Sequence, residues 1–117
     1  MSASLTYAIK FVADMDSAVR FHSAQLGLRL CFKSPEWSEF ETGSTTLALH
    51  LASKENPAGS CQLGFNVEDI DAFCAEVARQ GVRVLEAPKD LHGHRIAKLQ
   101  GPDGAAFSVS GGPSKKR

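Results

Sequence analysis

The stretch Phe11-Val12-Ala13-Asp14-Met15-Asp16-Ser17-Ala18-Val19-Arg20-Phe21-His22-Ser23-Ala24-Gln25-Leu26-Gly27 decides how this chain is read. It opens on the end of an extended apolar run that begins at Leu5. Asp14 fits a helix N-cap, because a short carboxylate accepts the free backbone N–H groups of a first turn. Met15 to Leu26 reads as helix, with Val19, Phe21 and Leu26 supplying an apolar stripe. Gly27 fits the left-handed residue that closes a helix.

The same order returns in the second half. Gln62 to Val67 is extended, Asp69 fits the cap, and Ile70 to Gln80 reads as helix with Phe73, Val77 and Ala78 apolar. Gly81 closes it. Three short strand-like runs follow each helix: 28–33, 36–41 and 45–51, then 82–86, 94–99 and 105–110. The turns Thr42-Gly43-Ser44 and Gly101-Pro102-Asp103-Gly104 precede the last run of each half, with residues that supply positive φ and a preset proline. A linker over 53–60 centres on Asn56-Pro57-Ala58-Gly59. The layout predicts an α+β chain of two βαβββ modules, at about 5–52 and 61–110, within one domain over 1–110, and a flexible tail over 111–117. One module cannot cover its sheet alone, so the two are expected to form one concave mixed sheet.

The totals agree with a single domain. The chain has 117 residues, 43% of them hydrophobic and 22% charged, which is a globular balance. Thirteen basic and thirteen acidic residues cancel, leaving no net field to gather nucleic acid or an anionic membrane. No run approaches the roughly 20 apolar residues of a membrane span. The start lacks the basic and apolar segments of a signal peptide. Cys31, Cys61 and Cys74 are too few and too scattered for a disulfide framework. These features predict a cytoplasmic protein with no nucleic-acid or membrane partner.

The quoted stretch resembles the first strand–helix signature of the glyoxalase/bleomycin-resistance/extradiol dioxygenase (vicinal oxygen chelate) superfamily. Gly101-Pro102-Asp103-Gly104 resembles that family's D-P-D-G turn, with Gly101 in place of the first aspartate. The resemblance implies the glyoxalase/bleomycin-resistance fold, a homodimer and a ligand site inside the concave sheet. In the family's enzymes it also implies a divalent metal, held by His, Gln or Glu from the first and last strands of each half. The antibiotic-sequestering bleomycin-resistance proteins do without that metal. Carried across by position, the four ligand places fall on Tyr7, Ala48, Gln62 and Ser108, with His50 two residues beyond Ala48 on the same face. A phenol, a methyl, an amide and a hydroxyl make a poor divalent site. The resemblance therefore implies a metal-independent small-molecule-binding protein with no cofactor. The alternative is a metal-dependent lyase, isomerase or dioxygenase with a divergent site, and a third reading is a dimer with no ligand.

Strand alternation locates the pocket independently. Leu47, Leu49 and Leu51 oppose Thr46, Ala48 and His50. Leu63, Phe65 and Val67 oppose Gln62, Gly64 and Asn66, and Phe107 and Val109 oppose Ala106, Ser108 and Ser110. The small, polar sets leave volume for a ligand, and Tyr7, Ile9 and Phe11 add an apolar wall. The expected lining is Tyr7, Trp37, His50, Gln62, Asn66, Arg95 and Ser108, around a neutral or weakly polar molecule. Arg95 belongs to the cluster His92-Gly93-His94-Arg95, read as a pocket rim or a solvated loop. Lys10 falls on the face due to meet a helix, His22 reads as packing, and Cys61 is expected to face away from the pocket. No carboxylate is placed on the pocket face, while the facing of Glu39 and Glu41 is left open.

Overall fold

A computed structural model describes residues 2–91 and 93–112. His92 and the basic run Lys115-Lys116-Arg117 lie outside the described residues. The chain divides into two compact units, one from Thr6 to Gln62 and one from Leu63 onward that also takes in the residues up to Leu5.

In the first unit, β1 (Ser4–Val12) leads into α1 (Met15–Arg20), followed by β2 (Arg29–Phe32), β3 (Trp37–Glu41) and β4 (Thr46–Leu51). The strand order is β2-β3-β4-β1, with β1 and β4 parallel and the other pairs antiparallel. In the second unit, β5 (Cys61–Val67) leads into α2 (Ile70–Arg79), then β6 (Arg83–Leu91), β7 (His94–Gln100) and β8 (Ala106–Gly111). The order β5-β8-β7-β6 repeats the first, with β5 and β8 parallel.

The caps are those the sequence calls for. Ser17 N–H donates to Asp14 Oδ1 at 3.2 Å, and Ala72 N–H donates to Asp69 Oδ1 at 3.1 Å. Gly27 and Gly81 close the helical segments at φ 75 and 95. Each helix covers one face of its own sheet. Val12, Met15, Val19, Phe40 and Leu49 form the first core, and Val67, Ile70, Cys74, Ala97, Leu99 and Val109 form the second. Lys10 does sit on the helix side, in register with Leu49, and places its ammonium 5.8 Å from the centre of the Phe21 ring. That cation–π contact supplies the reason for a lysine there.

Three elements differ from the sequence expectation. The first helix is α-helical only to Arg20 and continues as a π turn over Phe21–Gln25. His22 Nδ1 lies 2.8 Å from the Ala18 carbonyl and Ser23 Oγ donates to the Val19 carbonyl at 2.7 Å, so side chains occupy acceptors one turn back. The backbone ladder widens past them, and Leu26 N–H donates to Phe21 O at 3.1 Å. Strand β6 runs on to Leu91 through Pro88, with register breaks after Val84 and Glu86. It is the outer strand of its unit's order, where a proline removes no ladder bond. Gly111, expected in the tail, is instead the buried last residue of β8, opposite Val67. Among the described residues, no helix is long and apolar enough to cross a membrane.

Gly111 yields a direct test. A Cβ built there would lie 1.8 Å from the Val67 carbonyl oxygen, whereas at Gly101 the nearest atom is Asp103 Oδ1 at 3.5 Å. Gly111→Ala is expected to cost about 3 kcal/mol in urea unfolding, because backbone must move to admit the methyl. Gly101→Ala is expected to stay within about 0.5 kcal/mol.

Candidate functional site

The helix takes one face of the first unit's sheet, and alternation fixes what the other face displays. In β1 these are Tyr7, Ile9 and Phe11, and in β4 they are Thr46, Ala48 and His50, paired Tyr7 with Thr46, Ile9 with Ala48 and Phe11 with His50. In β3, Trp37 pairs with His50 and Glu39 with Ala48, so both point to this face while Ser38 and Phe40 are buried toward the helix. Phe32 of β2 pairs with Glu39 and joins them, 53% exposed. Ile9, Phe11 and fully buried Ala48 form the floor, with Tyr7, Trp37 and Ala52 packed on it.

Glu39 stands at the centre. Its Oε2 accepts a hydrogen bond from the Trp37 indole Nε1–H at 2.8 Å and another from the Tyr7 hydroxyl at 3.4 Å. The Tyr7 and Trp37 rings meet edge to face at 5.9 Å, and Trp37 meets His50 the same way at 5.7 Å. His50 also tilts against Phe11 at 5.2 Å. Its Nδ1 lies 2.8 Å from the Leu51 carbonyl, which an Nδ1–H tautomer satisfies and which leaves Nε2 as an acceptor. The Ala48 methyl permits this cluster, since a larger side chain would stand between Glu39 and its neighbours. The facing of Glu39, left open by the sequence, is toward this face: the β3–β4 register turns it there.

The other expected residues are distributed more widely. Gln62 is half-buried on β5. In the second unit, Gly64 pairs with Ser108 and Asn66 with Ser110, so these small polar groups share the face away from α2. Asn66 Nδ2 donates to Ser110 Oγ at 3.4 Å. Arg95 lies elsewhere, alternating with Ala97 and Leu99 on the face that packs on α2. Its Nε and Nη2 donate to the two oxygens of Asp71, each at 2.9 Å, and Nη1 donates to Asp90 at 3.3 Å. These carboxylates hold the guanidinium firmly charged. Arg95 ties the first turn of α2 to β7 and has no reach to the opposite face. His94 is exposed. Grooves of about 520 and 380 Å³ open at the starts of α1 and α2, bordered by Asp14, Asp16 and Lys33 and by Asn66, Glu68 and Asp69. Neither borders the aromatic face.

The family's divalent ion can be tested against these donors. Ala48 offers a buried methyl where a ligand atom is required. Burial and the neighbouring Glu39 charge raise the Tyr7 pKa, which disfavours the phenolate that would bind a metal. Among the described residues, no three His, Cys, Asp or Glu side chains converge. The donor set does not fit the ion, and no chemical step is derived through one.

The sequence profile of the Glyoxalase/Bleomycin resistance protein/Dioxygenase superfamily matches residues 4–109, and the chain belongs to that superfamily. Its fold is similar to that of the hypothetical protein BH1468 from Bacillus halodurans C-125 (TM-score 0.80, 19% identity, covering 100% of this chain and 99% of that one). It is similar also to methylmalonyl-CoA epimerase from Streptomyces coelicolor (TM-score 0.78, 21% identity, 95% and 99% covered). A third similar structure is methylmalonyl-CoA epimerase from Mycobacterium tuberculosis (TM-score 0.75, 22% identity, 96% and 89% covered). At these identities the likeness is one of fold. No curated protein matches the sequence.

Tyr7 is the single tyrosine of the chain, so its phenolate absorbance reports on the site alone. Its pKa is expected above the ordinary tyrosine value of about 10, for the burial and charge reasons just given. The folded phenol holds its proton more tightly than the unfolded chain does. Its contribution to stability is therefore present below the ordinary value and lost as pH rises through the folded one. Glu39→Gln removes the charge and is expected to bring the pKa down. An alkaline titration at or below the ordinary value in the unmodified protein would contradict the described contact.

Proposed function

We propose that this chain is a metal-independent binding protein for a small organic molecule, held on the open face of the first unit by Tyr7, Trp37, Glu39 and His50. The observation that carries the reading is the Glu39 carboxylate fixed by two neutral donors amid three aromatic rings. Flat apolar surfaces and one fixed polar group are what a small-molecule site combines. The donor chemistry at Tyr7 and Ala48 speaks against the metal-dependent lyase, isomerase or dioxygenase alternative. Gln62 remains part of the proposal as a further polar group, Asn66 and Ser108 are proposed for a polar patch on the second unit's own face, and Arg95 is left out because Asp71 and Asp90 engage it. A cytoplasmic homodimer completes the proposal. The outer strands β2 and β6 of the two units present edges of the kind that invite pairing, and sedimentation at tens of micromolar is expected to give a dimer.

Thermal melting separates the two main readings. Mn²⁺, Ni²⁺, Zn²⁺ and Fe²⁺ are expected to leave Tm unchanged. A planar organic ligand at a hundredfold excess over its Kd is expected to add about 2.7 kcal/mol, or several degrees in Tm. Trp37→Ala is expected to remove that gain. A sharp rise with a divalent metal, abolished by Gln62→Ala and His50→Ala, would overturn the metal-independent reading.

A further inference from the structure

Among the described residues, no basic side chain pairs with the Glu39 carboxylate. Its two hydrogen bonds both come from neutral donors, the Trp37 indole and the Tyr7 phenol. The ion pairs among the described residues join Lys33 to Asp16, Arg79 to Glu76, Lys89 to Glu86, and Arg95 to Asp71 and Asp90. None reaches Glu39. A half-buried carboxylate without a counter-charge carries a desolvation cost that an arriving cation would offset. Both bonds also fall on one oxygen, which leaves Oε1 open to a donor.

Tyr7, Trp37, His50 and Phe32 bring four rings to the face around Glu39, a surface for the planar body of a ligand. Of the remaining charged groups on this face, register places Arg29 opposite Glu41 at its far end, both exposed. Their formal charges are equal and opposite, and no ion pair joins either of them to Glu39 among the described residues.

Resting on the proposed ligand site, we infer that its occupant carries a cationic nitrogen, an ammonium or amidinium type of group, on a planar apolar body. The nitrogen donates to Glu39 Oε1, and the body lies against Trp37 and Tyr7.

Three isosteric probes test this: benzamidine (cation), benzamide (neutral) and benzoate (anion). Binding is read by calorimetry and by the indole N–H resonance of Trp37, the only tryptophan. Benzamidine is expected to bind about tenfold more tightly than benzamide, from a charge-assisted hydrogen bond to Glu39. Benzoate is expected to leave the indole resonance in place. Glu39→Gln, with folding checked by melting, is expected to bring the benzamidine-to-benzamide ratio close to one. Equal affinities for benzamidine and benzamide, or a ratio unchanged in the variant, would overturn the inference and leave the ligand site standing. If no probe moved the Trp37 resonance, the inference and the ligand site on this face would fall together.

Discussion

The parallel pairing of β1 with β4 is the constraint from which the site follows. Parallel neighbours cannot be joined by a tight turn, so the chain between them must cross over one face of the sheet. Here α1 makes that crossing and packs Met15 and Val19 on Phe40 and Leu49. The other face is left uncovered within the unit. Because side chains alternate, the choice of covered face decides at once that Lys10 and Val12 go under the helix and Tyr7, Ile9 and Phe11 do not. A one-residue slip between β3 and β4 would exchange Glu39 with Phe40, sending a carboxylate into the helix layer. The register is therefore strongly enforced by the core, and the site inherits that enforcement without being part of the core.

Ala48 shows how the same strands make room. It is completely buried although its side chain lies on the open face, in a cluster with Ile9 and Phe11 against which Tyr7, Trp37 and Ala52 pack. In a metal-binding relative of this layout, a donor is expected at this position. Here a methyl lets a tyrosine and a tryptophan converge on one carboxylate oxygen. Glu39 itself sits one strand away, opposite Ala48 on β3.

Much of this was legible in the sequence, and the physical reasons for the rest are specific. Asp14, Gly27, Asp69 and Gly81 mark helix ends by local chemistry, so the two modules could be read directly. Alternation in β4, β5 and β8 assigned faces correctly because those strands are apolar on one side only. β3 defeated that method: Trp-Ser-Glu-Phe-Glu has a large aromatic on each face, and only pairing with His50 and Ala48 shows which side Glu39 takes. Arg95 misled for the opposite reason. Its partner Asp71 is 24 residues away, and no local pattern announces a bidentate pair at that separation. The π turn depended on His22 and Ser23 both reaching back to backbone carbonyls, which a periodicity argument does not register.

Glu39, held by the Trp37 indole, organises the aromatic face. Solvent exchange of the Trp37 indole N–H tests it most directly, since the chain has one tryptophan and thus one such resonance. Slow exchange is expected in the unmodified protein and a marked acceleration in Glu39→Ala, with the backbone amides of β3 and β4 unaffected. An indole proton that exchanges as freely as in an unstructured peptide, with no response to Glu39→Ala, would contradict it.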